Sequence, residues 1–409
     1  MSVLVQEALN LISRKVKTKG YEIVPIEESP FRISYKKILA THFMPRFNSS
    51  AMDGYGVRIN DQNKTVKVID TILAGSNKKI DITDGFCIKI MTGARVHKSI
   101  EAIIPKELVK IQSNGFVKLP SDIHVLSHIR FAQEDIKINE CLIDIGETIS
   151  ASTVTLLASQ GITHIKVFKK PRITIFASGE ELKLHYEKSL EEYQIYNTNT
   201  PTLIARVKEL GCDTTFIGMA KDSIKSLKKL IANSLDSDLI ITSGGVSVGE
   251  ADFTKEAFDQ MGMKTIFDGI LIKPGKPTVL GKIDKTIILN LPGNPLASSL
   301  IFELFGKIII QNINGSVNKY HNFIQTTISK ELQNKKGKIT IIPGNFDGSH
   351  FIPSKQRSPG MISILNKCNS MLILDKEVEF LDKNSYIKIL PINWLFFTNT
   401  QKDFLNYES

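Results

Sequence analysis

Apolar and polar residues follow different periods along this chain, and the changes of period divide it into segments. In residues 1–40 the apolar positions recur at helical spacing, with breaks at Gly20 and Pro25, so mainly helical structure is expected there. From about Thr65 short β-like runs such as TVKVIDTIL are separated by turn signals, including Asn114–Gly115. This pattern predicts a mostly β unit inserted between helical pieces.

Strand-like and helix-like segments alternate regularly after Pro171. The run RITIFA precedes a helical segment at about 201–210, for which Thr200 is the predicted N-cap and Pro201 the first helical residue. The runs TTFIG, DLIIT and TIILN are the further predicted strands, and a long helix is expected up to Ile310. Strands that alternate with helices indicate βαβ units and a mainly parallel sheet.

A last change of pattern follows Gly315, where short turn-bounded runs such as KITIIP and SMLILD predict a small all-β unit. The fold class is therefore multidomain α/β plus β. We expect four units: an elongated helical and β unit, an inserted β unit, an α/β unit with a parallel or mixed sheet, and a C-terminal β unit. Their predicted bounds are residues 1–45 with 131–168, 46–130, 169–316 and 317–409.

Composition narrows the class of protein without identifying it. The chain has 409 residues, of which 42% are hydrophobic and 23% charged, so disordered, collagen-like and coiled-coil classes are excluded for its bulk. The net charge of +10 permits anionic partners. Because no recognition module and no basic run with interleaved aromatic residues is present, we do not expect a nucleic-acid partner.

Neither a membrane nor a secreted location is expected. The most apolar helical stretch, Leu296 to Ile310, is interrupted by Glu303 and Lys307. The N-terminal segment resembles an amphipathic helix rather than a secretory signal. The four cysteines are far apart and form no C-x-x-C pair, so a reducing, cytoplasmic compartment is predicted.

The loops after the predicted parallel strands are the first place to look for a ligand site, because ligands bind at the carboxyl ends of such strands. These loops read SGEELK, MAKD, SGGVSVGEAD and LPGNP, and they should converge in space. In LPGNP, Asn294 is a favourable N-cap, Pro295 suits the first helical position, and Gly293 lets the backbone approach a ligand. Free amides at such a helix start bind anions, although an ordinary helix start has the same sequence.

The glycine-rich loop SGGVSVGEAD, at residues 243–252, could wrap a phosphate with amides and hydroxyls. It matches neither of the standard phosphate-binding loops, and a plain strand-to-helix turn capped by Asp252 is the alternative. In IKPGKP, Lys273 and Lys276 flank a Pro-Gly turn and suit an oxyanion, or form a solvated turn.

Several carboxylates are expected at the same sheet edge and could hold Mg²⁺ together with substrate oxygens, or be ordinary surface acids; they are Glu180, Glu181, Asp222, Glu250 and Asp252. The segments NSSAMDGYGV and MTGA, at residues 48–57 and 91–94, are bland turn sequences when each is taken alone.

Taken together, NSSAMDGYGV, MTGA, SGEEL, TSGGVSVGEADFTK, IKPGKP and LPGNPLAS resemble the motifs of the molybdopterin molybdenumtransferase (MoeA) family, which includes the E domain of gephyrin. Their order and spacing match over nearly the whole chain. The resemblance implies an elongated domain, an inserted β domain, a molybdopterin-binding α/β domain and a C-terminal β-barrel-like domain. It also implies a homodimer whose active site lies between the α/β domain of one subunit and the inserted domain of the other.

The implied reaction is Mg²⁺-dependent hydrolysis of adenylyl-molybdopterin with insertion of molybdenum from molybdate into the dithiolene, which gives molybdenum cofactor and AMP. A molybdopterin adenylyltransferase and apo-molybdoenzymes are the implied partners. Five residues match catalytic positions of the family: Asp53, Thr92, Glu181, Asp222 and Asp252. Glu181, Asp222 and Asp252 also match its Mg²⁺ ligands. Those that match substrate-binding positions are Ser243, Gly244, Gly245, Ser247, Lys273, Lys276, Pro292, Gly293, Asn294 and Pro295.

The chain departs from the family pattern at a few positions. Asn197 stands where many relatives carry an acid, and Lys335, Lys336 and Lys338 stand in a region that is commonly rich in glycine and arginine. The segment 356–360 carries an extra proline. Two alternatives to the molybdenum transferase stay open: a non-catalytic molybdopterin-binding carrier or scaffold of the same fold, and an enzyme that inserts tungsten.

Overall fold

The computed structural model of the chain describes residues 2–18, 20–220, 223–244 and 253–393. Within these residues the backbone forms an elongated unit, an inserted β unit, an α/β unit and a C-terminal barrel. The fold class predicted from the sequence is confirmed. The expectation of mainly helical structure over residues 1–40 is wrong, because only Val5–Lys15 is an α-helix there. The β-branched and aromatic residues that follow it form strands instead.

The elongated unit consists of two short antiparallel strand pairs covered by one helix. Its elements are Tyr21–Pro25 paired with His164–Phe168, Ile38–Leu39 paired with Cys141–Ile143, the 3-10 helix Ile26–Glu28 and the α-helix Ala151–Ser159. Ser150 and Thr153 form a capping box at the start of this α-helix. Leu157 and Val167 lie in the small core of the unit.

The N-terminal helix packs away from this unit. Ala8, Ile12 and Val16 are buried in the same core as strand residues of the α/β unit, such as Ile173. The backbone of Val3 also donates to Gly269 O (3.0 Å) and accepts from the N–H of Leu271 (2.9 Å). The packing therefore differs from the predicted grouping of residues 1–45, since helical periodicity reveals an apolar face but not the surface that covers it.

The inserted unit is a six-stranded sheet with a hydrophobic cluster on each face. Its strands, in spatial order, are Ala102–Pro105, Gly54–Val57, Phe86–Ile90, Thr65–Ile72, Phe116–Lys118 and Lys110–Ile111. The strands Ser49–Ser50 and Ile129–Arg130 pair where the chain enters and leaves this unit. Three 3-10 turns complete the part that the structure describes: Ile59–Asp61, Lys106–Leu108 and Ser113–Gly115.

The α/β unit contains a six-stranded sheet with four parallel strands. Two further strands are added through antiparallel pairings, the first with the fourth parallel strand and the second with the first of the two. In spatial order the strands are Asp213–Ala220, Arg172–Ser178, Leu239–Ser243, Thr286–Leu291, Val279–Ile283 and Lys264–Asp268. Alternate strand residues point to opposite faces. Ile175, Ile241 and Leu289 therefore join one core, whereas Phe176 and Ile240 join the other.

Helices cover both faces of this sheet. The first face carries Val5–Lys15, Asn199–Glu209, Pro295–Ile301 and Lys307–Asn314, and the second carries Ile224–Ala232 and Phe253–Gln260. Pro295–Ile301 continues through a π-helical turn, Phe302–Gly306, into Lys307–Asn314. This 20-residue stretch is the one described helix long and apolar enough to cross a membrane, but 83% of its most apolar window is buried inside the protein, as in a core helix.

The C-terminal unit is a five-stranded barrel built from Ile339–Phe346, His350–Pro353, Ile324–Ile328, Tyr386–Pro391 and Ser370–Leu374. Two short strands, Leu332–Gln333 and Phe380–Leu381, pair beside it, and a 3-10 turn lies at Leu365–Lys367. The strand Ile272–Lys273 of the α/β unit adds to the barrel sheet, where it pairs in parallel with Ile339 and Thr340. This shared pairing joins the two units directly beside the IKPGKP turn.

Replacement of Gly275 tests how tightly this junction is packed. Gly275 has φ +116°, and a Cβ there would lie 2.2 Å from Ile301 Cδ1. We expect Gly275→Ala to lower the free energy of unfolding by about 2–4 kcal/mol, from overpacking and left-handed backbone strain together. Gly211→Ala is the matched control, because Gly211 has φ +74° with open space around it. Equal losses of stability in urea unfolding would contradict the packing described here.

Candidate functional site

Three parallel strands of the α/β unit end side by side, and their ends are in close contact. Ser243 lies opposite Ala177 on one side and Leu291 on the other. Gly244 follows with φ +103°, and a Cβ there would lie 2.4 Å from the carbonyl oxygen of Ser178. Only glycine fits this approach. A Cβ on Gly293 would lie 3.5 Å from the Cα of Gly244, so the described start of the glycine-rich loop lies against the LPGNP loop, as the sequence predicts.

Asn199 ties these loops together, and sequence reasoning did not select it. Its Nδ2 donates to Ser243 Oγ (2.6 Å) and to the carbonyl of Gly293 (2.7 Å). Ser243 Oγ in turn donates to the carbonyl of Pro292 (3.2 Å). Asn199 is the first residue of its helix. An amide side chain at the start of a helix that follows a strand of this sheet is the feature of the sequence that could have indicated it.

Asn197 is buried just before the helix Asn199–Glu209 and is hydrogen-bonded to its first turn. Its Oδ1 accepts the N–H of Thr200 (3.1 Å), and its Nδ2 donates to Thr200 Oγ1 (2.8 Å). An amide makes both bonds without placing a charge in the interior, where an unpaired charge is costly. The predicted role of Thr200 as the N-cap is wrong, because the helix begins at Asn199 and Thr198 occupies the N-cap position.

The start of the helix Pro295–Ile301 is capped by another unit of the molecule. Pro295 occupies its first turn as expected, but the side chain of Asn294 makes no capping hydrogen bond. Instead the N–H of Leu296 donates to the carbonyl of Pro359 (2.9 Å), which lies in the C-terminal unit. One of the amides expected to be free for an anion is thus occupied, and the loop 356–360 borders the strand-end group.

Arg357 lies on this docked loop. Its side chain is partly buried, and burial lowers the pKa of its guanidinium. No ion pair to Arg357 is formed within the described ranges, so its charge is not neutralised by a neighbouring carboxylate there. A cation with this environment favours a bound anion.

Lys273 and Lys276 are both exposed, on the turn that joins the α/β unit to the barrel. Gly275, between them, packs on Ile301 of the helix that begins at Pro295. Thr278 Oγ1 donates to the carbonyl of Gly275 (2.7 Å) and holds the turn in shape. Among the described residues neither lysine has an ion-pair partner, so both positive charges are available to a ligand.

Asp53 and Thr92 meet in the inserted unit. The N–H and the hydroxyl of Thr92 both donate to Asp53 Oδ1, each at 2.8 Å. These bonds, first the backbone one, lower the pKa of Asp53, and Lys106 and Lys89 act in the same direction. Asp53 is therefore a carboxylate at neutral pH. No hydrogen bond within the described part of one chain links this pair to the strand-end group.

The carboxylates expected to hold a metal can be located only in part. Glu181 is exposed, and its Oε2 would lie 2.8 Å from a Cβ on Gly179, so its carboxylate folds back over the end of Arg172–Ser178. Asp222, Gly245, Ser247, Glu250 and Asp252 lie outside the described residues. Within the described ranges no group of three or more His, Cys, Asp or Glu side chains is placed to hold a metal ion.

Comparison with known proteins gives matches over nearly the whole chain. A family model described as the MoeA N-terminal region (domain I and II) matches residues 3–161, and one described as a probable molybdopterin binding domain matches residues 174–312. A molybdopterin molybdenumtransferase of Haemophilus influenzae is 30% identical over 393 residues, which cover 91% of this chain and 94% of that protein. One of Staphylococcus epidermidis is 29% identical over 388 residues, which cover 91% of each chain.

Solved structures match in the same way. A molybdopterin biosynthesis MoeA protein of Pyrococcus horikoshii has a TM-score of 0.81 and 26% identity, with 96% of this chain and all of that chain covered. A second structure of the MoeA protein from that organism has a TM-score of 0.83 and 24% identity over the same coverage. The likeness therefore extends over all four units and is not confined to the α/β unit.

Replacement of Thr92 tests the environment of Asp53. In Thr92→Val the side-chain hydrogen bond is lost and the backbone one remains, so the pKa of Asp53 should rise toward its ordinary value of 3.8. In Thr92→Ser the hydroxyl is kept, and the pKa should stay low. Carboxyl-carbon NMR titration of the labelled protein measures both. A titration of Asp53 that is the same in Thr92→Val and the wild type would contradict the geometry.

Proposed function

The chain belongs to the molybdopterin molybdenumtransferase (MoeA) family of transferases, and on this premise we propose that it inserts molybdenum into molybdopterin. The observation that carries the proposal is the close contact of the SGG and LPGNP loops at the carboxyl edge of the sheet, with Asn199 bonded to both. Such an edge is where open α/β sheets bind ligands.

The substrates that we propose are adenylyl-molybdopterin and molybdate. Water adds to the phosphorus of the adenylyl group, and the anhydride P–O bond breaks with the phosphate of molybdopterin as the leaving group, so AMP is released. The two dithiolene sulfurs bind molybdenum and displace one oxygen of molybdate, which leaves as water with the two thiol protons. Cleavage of such a bond depends mainly on positioning and on neutralising negative charge. Lys273, Lys276 and Arg357 are cations without carboxylate partners in the described residues and could neutralise the phosphates and molybdate.

The remaining residues would position the substrate or handle protons. Gly244 and Gly293 let the backbone come close to a ligand, since neither carries a side chain at the contact between the loops. Asp53 is ionised at neutral pH, because its pKa is lowered by Thr92. It can therefore accept a hydrogen bond or a proton from water, but it cannot act as a general acid.

We also propose Mg²⁺ as the cofactor, held by Glu181, Asp222 and Asp252. Glu181, the one member of this set that the structure describes, is suitable because its carboxylate is exposed at the carboxyl edge. Carboxylate oxygens together with substrate phosphates are the usual Mg²⁺ ligands. When bound, the ion would neutralise charge on the phosphates, including the molybdopterin phosphate that departs when the anhydride breaks.

A homodimer is part of the proposal. Asp53 and Thr92 have no hydrogen bond to the strand-end group within the described part of one chain, so a second copy would supply the inserted unit to complete each site. Exposed apolar side chains on the elongated unit, such as Ile23 and Phe31, support an interface there. An adenylyltransferase would supply the substrate, and apo-molybdoenzymes would receive the product. The four cysteines form no disulfide, which favours the reducing cytoplasm as the location of the protein.

Release of AMP from adenylyl-molybdopterin tests the proposed reaction. With Mg²⁺, the purified protein should release AMP and should pass active cofactor to an apo-molybdoenzyme in a molybdate-dependent way. Lys273→Ala should reduce release by about 10-fold to 100-fold, because a charge that neutralises the anions is lost. Lys229→Ala, an exposed lysine on the helix Ile224–Ala232, should have no effect. Tight binding of adenylyl-molybdopterin without AMP release would favour the carrier or scaffold. Release that depends on tungstate rather than molybdate would favour the enzyme that inserts tungsten.

Complementation between two inactive variants tests the shared site. Asp53→Asn and Lys273→Ala would each be inactive or nearly so as homodimers. After the two are unfolded together and refolded, half of the dimers should be mixed, and each mixed dimer should hold one intact site. About a quarter of wild-type activity is then expected for a two-fold symmetric dimer. If mixing restores no activity although the mixed dimers form, the two groups belong to the same subunit's site.

A further inference from the structure

A second charged cavity lies at the opposite edge of the α/β sheet. It has a volume of about 150 Å³ and is lined by four lysines, Lys15, Lys17, Lys282 and Lys285. Asp238 and Ile287, which also line it, stand at the amino ends of two parallel strands. The candidate functional site lies at the carboxyl ends of the same strands, so the two are separated by the length of the sheet.

The four lysines come from parts of the chain that are distant in sequence. Lys15 ends the N-terminal helix and Lys17 follows it. Lys282 lies in the strand Val279–Ile283, and Lys285 lies in the turn that joins this strand to Thr286–Leu291. The core under them fixes both segments, because Ile12, Val16 and Ile287 are buried in one cluster. The fold therefore holds the lysines around one concavity.

The described residues do not neutralise most of this charge. No salt bridge to the four lysines is formed within the described ranges. Asp238 lines the cavity, but its Oδ2 accepts the backbone N–H of Arg172 (2.8 Å). Four lysines with one aspartate leave a formal charge of +3. Two helices end here, and each C-terminus contributes about −0.5 charge, so about +2 remains.

Like charges held around one concavity destabilise each other, and a bound anion removes that cost. The space is far larger than the roughly 10–15 Å³ that one water molecule needs. The hydroxyl of Thr18 adds a polar group at the rim. A small, concave and strongly cationic site suits a compact multivalent anion better than the flat surface of a protein or nucleic acid.

We propose that this cavity binds a phosphate or diphosphate group, separately from the candidate functional site. Lysine ammonium groups bind such anions as point charges. The group could be free inorganic diphosphate or the diphosphate of a nucleotide, and both present the same chemistry to the lysines. The proposal does not depend on the proposed transferase reaction, because it uses none of the residues assigned to it.

Calorimetric titration of the full-length protein with inorganic diphosphate and with ADP, at constant ionic strength and without Mg²⁺, tests this proposal. One site per chain that persists in the Lys273→Ala variant is expected for this cavity. The double variant Lys17→Ala with Lys282→Ala should bind at least about tenfold more weakly, since two charged contacts are lost. Lys17→Arg with Lys282→Arg should keep the affinity, as should Lys335→Ala, an exposed lysine on the barrel. AMP release should be unchanged in all of these variants.

The two ligands identify the source of the group. Binding of diphosphate alone indicates the free ion, whereas tighter binding of ADP indicates a nucleotide. The proposal is overturned if neither ligand binds, if the double alanine variant binds as well as the wild type, or if Lys273→Ala abolishes binding, which would place the ligand at the carboxyl edge. Thermal unfolding without ligand checks that each variant is folded. If the double alanine variant does not fold, weaker diphosphate binding by Lys285→Gln provides the same test.

Discussion

The whole candidate site depends on one steric constraint, the contact between strand ends at Gly244. A Cβ at this position would lie 2.4 Å from the carbonyl of Ser178, and the φ of +103° disfavours any side chain there. Because Gly244 has no side chain, the LPGNP loop can lie so close that a Cβ on Gly293 would be 3.5 Å from the Cα of Gly244. Asn199 can then donate hydrogen bonds to both Ser243 and Gly293. Without this approach, the loops would separate and the polar groups at the edge would not face a common ligand.

The C-terminal barrel completes the edge, since it is joined to the α/β unit by contacts of three kinds. The strand Ile272–Lys273 pairs with the barrel sheet, and Pro359 accepts the N–H of Leu296 at the start of a helix. Arg206 binds the buried carboxylate of Glu303 (Nε to Oε1, 2.7 Å) and also donates to the carbonyl of Ile392 (3.0 Å). Removing one partner of such a buried pair is costly. These contacts hold Lys273 and the loop of Arg357 near the LPGNP turn.

The sequence predicted the local elements well because hydrophobic period and turn residues are local signals. The parallel strands and the Pro295 helix start both follow from such signals. Contacts between distant segments could not be predicted. Examples are the packing of Ala8 on the α/β core and the capping of Leu296 by Pro359. Asn199 was missed for the same reason, since its importance lies in two loops that approach it only after folding.

Anomalous diffraction from crystals of the protein soaked with molybdate and AMP would show directly whether the carboxyl edge binds molybdate. We expect one strong molybdenum peak per site at the carboxyl edge, within contact distance of the Ser243–Gly244 backbone or of Lys273 and Lys276. Asp53 of a second copy should face the same peak. A molybdenum peak at the amino ends of the strands or in the barrel, with none at the carboxyl edge, would show that the carboxyl edge is not the molybdate site. The strand-end contact would then be a feature of packing alone.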